Sequence, residues 1–149
     1  MENPSPCLFC RIAAGEAEAS MLYQDEFVSA FMDLFPVVPG HLLVIPNMHA
    51  ALVGDLPEDL SSRVFSLGRG LGEALRHSAI RAESIGYYLA DGPAAGQVVP
   101  HVHLHVIPRF AGDGSGFALH MKVPVQAKRA GLNAQAAEIQ AALHSQTSH

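Results

Sequence analysis

The sequence predicts an α+β fold built on a largely antiparallel sheet of about five strands, with one long helix and a short N-terminal helix. Three features of the chain carry that prediction. Leu60, Val64, Leu67, Leu71 and Leu75 recur at threes and fours, the period of a helix face. In "HVHLHVIPR", His101 to Arg109, polar and apolar residues alternate with the period of a strand. The remaining short apolar stretches fall in groups before and after the long helix, instead of alternating with many helices.

Taken in order, "CLFCRIAAGE" makes a short helix ended by Gly15. "MLYQDEFVSAFMD" holds two β-like stretches, Met21–Tyr23 and Phe27–Asp33, split by the turn-like Gln24-Asp25-Glu26. "FPVVPG" breaks the chain at Pro36, Pro39 and Gly40. "HLLVIP", His41 to Pro46, is an apolar run between turn signals and so a buried strand. Pro57 suits the first turn of the long helix. Gly68, Gly70 and Gly72 cost that helix propensity, which points to close packing on a neighbour. "SIGYYLA", Ser84 to Ala90, reads as a strand, "DGPAAGQ" as a small-residue turn, and "PHVHLHVIP" as the last strand. A flexible loop is expected over 111–131, then a helix near Asn133–Leu143 with Leu132, Ala136, Ile139 and Leu143 along one side.

At 149 residues the chain is expected to form a single domain over 1–149. No apolar run reaches the roughly 18–20 residues of a membrane helix. "MENPSPCLFC" has neither a basic nor an apolar leader region, so a cytoplasmic protein without a membrane partner is expected. Net charge is −5 with no basic stripe, which argues against duplex nucleic acid but leaves small phosphorylated ligands open. Cys7 and Cys10 form a C-x-x-C, the spacing of metal ligands or of a redox pair in a reducing compartment.

The histidines carry the chemistry. On a straight strand His101, His103 and His105 share one face, with Val102, Leu104 and Val106 on the other, towards the core. His101 and His105 would then be about 13 Å apart. A zinc ion sits about 2 Å from each imidazole nitrogen, so all three cannot hold one ion without a strong bend. A neutral imidazole attacks phosphorus well, and glycine-rich backbone in "DGPAAGQ" lets amides approach a phosphate. His77, His120, His144 and His149 receive no role.

"DGPAAGQVVPHVHLHVIPR", preceded by "FVSAFMDLFPVVPGHLLVIPNMH", resembles the histidine triad (HIT) family of nucleotide hydrolases and transferases. The resemblance runs from Cys7 to about Gly114. It implies an antiparallel α+β fold, commonly as a homodimer. It implies that His103 is the nucleophile, attacking the α-phosphorus of an adenine nucleotide to give a nucleotidyl-histidine that water resolves. His105 and His41 match the supporting histidines. Gln97, with Gly96 in the turn before it, would lie along the phosphates. Asp33 would hold the ribose hydroxyls, and Leu8, Phe9, Ile12, Phe31, Leu34 and Leu43 would form the adenine pocket. Cys7, Cys10, His49 and His101 match a structural zinc site, and the chemistry itself would need no metal. Dinucleoside polyphosphates and nucleoside phosphoramidates are the implied substrates. Two positions depart from the pattern: Ala90 replaces an amide side chain, and Val98 replaces a Ser or Thr that assists the leaving group. Two alternatives stand beside this: a nucleotide-binding adaptor with vestigial catalysis, and a metal-dependent hydrolase using the histidine strand.

Overall fold

A computed structural model describes residues 7–114 and 125–146. Helix α1 spans Leu8–Ala13, and Gly15 turns the chain out of it at φ 76°. Strands β1 (Met21–Gln24), β2 (Val28–Met32) and β3 (Leu42–Pro46) follow. Asp25 makes the β1–β2 turn, its Oδ1 accepting from the backbone N–H of Phe27 and Val28 at 2.7 and 2.8 Å. Helix α2 covers Glu58–Arg76, with Pro57 at its cap and Glu58 and Asp59 in its first turn. Strands β4 (Ser84–Tyr88) and β5 (Leu104–Arg109) and helix α3 (Arg129–Gln146) complete the order. The sheet runs β1-β2-β3-β5-β4, with every pair antiparallel. Among the described residues, no helix is long and apolar enough to cross a membrane.

Both faces of the sheet centre are covered, which is why "LLVIP", Leu42 to Pro46, is apolar throughout. Leu42, Val44, Leu104 and Val106 pack beneath α2 and α3, against Leu71, Leu75, Leu132 and Ile139. Phe31, Leu43 and Ile45 lie on the opposite face under Phe9 and Ile12 of α1. The register draws one row across that second face: Tyr88 opposite His105, His105 opposite Leu43, and Leu43 opposite Phe31.

Two boundaries differ from expectation. The last strand begins at Leu104, not at the first histidine. The backbone before it bonds elsewhere, with Val102 N–H donating to the Ala50 carbonyl and His101 N–H to that of Val99, each at 2.8 Å. Helix α3 begins at Arg129, four residues before Asn133, so the end of the expected loop is helical. The rest of that loop falls partly on residues 115–124, outside the described residues.

Close packing holds for two of the three helix glycines. A Cβ at Gly68 would lie 2.6 Å from Leu104 Cδ2, and one at Gly72 would collide with Tyr87. Gly70 has open space, with nothing within 4 Å. Gly70→Ala should therefore stabilise the protein by up to about 1 kcal/mol in urea denaturation. Gly68→Ala should destabilise it, because moving Leu104 within a packed core costs about 1–3 kcal/mol and exceeds the helix gain.

Candidate active site and metal-ligand cluster

The row Tyr88, His105, Leu43, Phe31 floors a cavity of about 470 Å³. Leu8, Phe9 and Ile12 of α1 and Leu34 after β2 contribute its apolar side. His41, His103 and His105 reach its wall, with Asp33, Gly96 and Val98. All six residues expected to hold a base, the carboxylate of Asp33, and His41, His103 and His105 are thus on one cavity.

The hydrogen bonds fix the tautomers. His103 is buried, and its Nδ1 lies 2.7 Å from the His101 carbonyl oxygen. A carbonyl only accepts, so Nδ1 carries the proton and Nε2 keeps its lone pair. Burial holds the ring's pKa below its ordinary 6.5, the His101 carbonyl and Asp33 opposing only in part. Phe9 stands edge-on to the ring at 5.2 Å, and His105 lies 5.0 Å away, centroid to centroid.

His41 accepts from the Val37 N–H at Nδ1 (3.1 Å), so its proton is on Nε2. That proton points to His105 Nδ1 at 2.9 Å, with Asp33 Oδ2 at 3.3 Å. His105 Nδ1 then accepts and its proton sits on Nε2. Asp33 alone would favour a charged His41, but protonating Nδ1 would turn it against the Val37 N–H. Burial, with His103 adding to it, pushes His41 down to about 4.

His101 is fully buried and faces away from the cavity. Its Nε2–H donates to the Pro46 carbonyl at 2.8 Å, which leaves the Nδ1 lone pair for a metal. Nδ1 lies 3.4 Å from Cys7 Sγ, 3.5 Å from Cys10 Sγ and 3.3 Å from His49 Nδ1. Cys10 Sγ is 3.3 Å from His49 Nδ1. Tetrahedral zinc with Zn–N near 2.0 Å and Zn–S near 2.3 Å requires separations of about 3.3 Å between nitrogens and about 3.5 Å from nitrogen to sulfur. The four residues fit, and four protein donors leave no open position for a reactant.

Gln97 stands apart from the rest. Its Oε1 accepts from the Gly92 N–H at 2.9 Å and its Nε2 donates to the Ala51 carbonyl at 2.7 Å. Its amide therefore braces the loop, and its neighbours Gly96 and Val98 reach the cavity instead. Gly96 adopts φ 96°, a conformation that keeps side chains out and backbone close. Val98 is 89% exposed, and Ala90 is buried off the cavity wall. Sequence reasoning missed Tyr88, whose ring lies 6.0 Å from His105 and whose hydroxyl donates to the Ala95 carbonyl at 2.8 Å. It also missed Glu18 and Arg129 on the same wall.

The HIT domain family model matches residues 14–112. The chain belongs to the HIT, or histidine triad, family. It is 37% identical to a HIT-like protein of Borreliella burgdorferi over 125 residues, 83% of this chain and 89% of that one. Its fold superposes with TM-score 0.84 on a zinc-bound histidine triad family protein from Mycobacterium smegmatis, at 33% identity and 96% coverage of each chain. A HIT family hydrolase from Legionella pneumophila matches with TM-score 0.61 and 28% identity, over 78% of this chain and 99% of that one.

The depressed pKa of His41 has a consequence for stability. Its folded-state pKa, about 4, lies below the ordinary 6.5, so the folded state binds fewer protons in between. The stabilisation is complete above pH 6.5 and is lost as pH falls towards 4. Denaturation midpoints should record a loss of roughly 3 kcal/mol over that window, and His41→Gln should flatten the slope.

Proposed function

We propose that this chain is a nucleotide hydrolase or nucleotidyl transferase that attacks the α-phosphorus of adenine nucleotides through His103. The observation that carries this reading is the 2.7 Å bond from His103 Nδ1 to the His101 carbonyl, which leaves Nε2 as a nucleophile on the cavity wall. The Nε2 lone pair forms the bond to phosphorus. The P–O or P–N bond to the leaving group breaks, its electron pair departing with that atom. Water then attacks the nucleotidyl-histidine, loses a proton and frees AMP and the ring. The apolar wall suits a base, Asp33 suits ribose hydroxyls, and the backbone at Gly96 suits phosphate. Dinucleoside polyphosphates and nucleoside phosphoramidates are the candidate substrates. The hydrolase among the related structures supports the reaction class.

One observation favours the metal-dependent alternative: ligand atoms of Asp33, His41 and His105 lie within 4.8 Å of one another. The His41 tautomer weighs against it, because the only lone pair on that ring already accepts from Val37. Zinc belongs instead at Cys7, Cys10, His49 and His101, where it would tie α1 to the segment before β5. Pairing of two copies along β4 is the homodimer this reading expects, since β4 ends the sheet and Tyr87 and Phe65 stand exposed beside it.

Rapid quench with substrate labelled at the α-phosphorus should trap the label on His103, and His103→Ala should lower turnover about a thousandfold or more. Full activity in that variant, or label on another residue, contradicts the reading. Val98 cannot pass a proton, whereas an amine leaving group needs one and a phosphate does not. Val98→Ser should therefore raise phosphoramidate turnover about tenfold over anhydride turnover. Elemental analysis should find one zinc per chain, and cobalt in its place should give a tetrahedral thiolate spectrum. Cys10→Ser should abolish both and lower the Tm.

A further inference from the structure

The cavity has a polar end that the nucleotide reading does not use. Glu18, in the segment before β1, and Arg129, the first residue of α3, both reach its wall. They lie by the β1 edge of the sheet, three strands from the histidine strand β5, or roughly 14 Å at the usual strand spacing. Leu8, Phe9, Phe31 and Leu34 lie on the wall as well, apolar surface for a flat ring. With phosphate at His103 and ribose at Asp33, the outer edge of the base would meet Glu18 and Arg129.

Arg129 is held in place, with Glu18 beside it. Arg129 Nη1 donates to Ser20 Oγ at 3.0 Å, and that hydroxyl donates to Asn133 Oδ1 at 2.6 Å. Arg129 Nε lies 3.6 Å from Glu18 Oε1. These contacts use Nε and Nη1 of the guanidinium and approach only one carboxylate oxygen. Among the described residues, Nη2 and Oε2 remain for a ligand.

We propose that Glu18 and Arg129 read the base edge and that the cavity takes 6-oxopurine nucleotides, guanine above all, in preference to adenine. The inference rests on the nucleotide reading above: the chemistry at the α-phosphorus is the same and adenine nucleotides remain substrates, but the base bound most tightly is guanine. Guanine presents two adjacent donors, N1–H and N2–H, to a carboxylate, and O6 to a guanidinium. Hypoxanthine presents one such donor. Adenine offers the carboxylate only its N6 amino group and has no carbonyl for arginine. Hydrogen bonds to charged partners are the stronger kind, so the second donor favours guanine. Glu18 is 76% exposed, which limits the gain to a modest factor.

Calorimetric titration of the zinc-loaded protein with GMP, IMP, AMP and ribose 5-phosphate tests this. GMP should bind about fivefold tighter than AMP, with IMP between. Glu18→Ala and Arg129→Met should each shrink the difference, the double variant should remove it, and all three should leave ribose 5-phosphate binding unchanged, which guards against a misfolded variant. Equal affinity for GMP and AMP in the unaltered protein, or a preference that survives the double variant, overturns the base assignment while the nucleotide reading stands. Failure of all four ligands to bind overturns both.

Discussion

Everything at this site depends on one short hydrogen bond, the 2.7 Å contact between His103 Nδ1–H and the His101 carbonyl. A neutral imidazole has a single lone pair, and this bond decides which nitrogen keeps it. Had the bond formed at the other nitrogen, the same ring in the same place would present a proton to the cavity. The carbonyl is free for this purpose because residues 101–103 precede the ladder of β5 and do not pair within the sheet.

Residue 101 links the two halves of the site. Its carbonyl sets the His103 tautomer, while its ring, turned by Pro46, faces the two cysteines and His49. α1 carries Cys10 and also Phe9, which stands edge-on to both His101 and His103. A metal at the cysteine end would therefore stiffen the nucleophile without touching the reactants. The second pair, His41 and His105, is ordered separately from Val37 through two successive ring contacts. Burial suppresses the charge on His41 and His103 alike, so the network conveys orientation and not a fixed positive field.

Much of this was legible in the chain because side-chain period and burial agree. "HLLVIP" reads as a buried strand because both sheet faces are covered there, and Leu60 to Leu75 read as one helix face because α2 packs along the sheet. The alternation in "HVHLHV" places His103 and His105 on the cavity side and Val102, Leu104 and Val106 in the core, although the formal strand starts only at Leu104 and His101, ahead of it, turns to the cysteines instead. What was not legible depends on pairing between distant segments. Tyr88 enters the site because it lies opposite His105, a register that no local pattern encodes. Gln97 turns away because its amide meets Gly92 and Ala51, partners 5 and 46 residues distant. The start of α3 was hidden by Gly131, which faces open space and weakens the helical signal without breaking the helix.

The most direct test of the central claim is nitrogen-15 NMR of histidine-labelled protein above pH 7, read ring by ring. The bond to His101 predicts that His103 has a protonated Nδ1 and a bare Nε2, with no metal shift at either nitrogen. A proton on Nε2, or a metal bound to that ring, would contradict it.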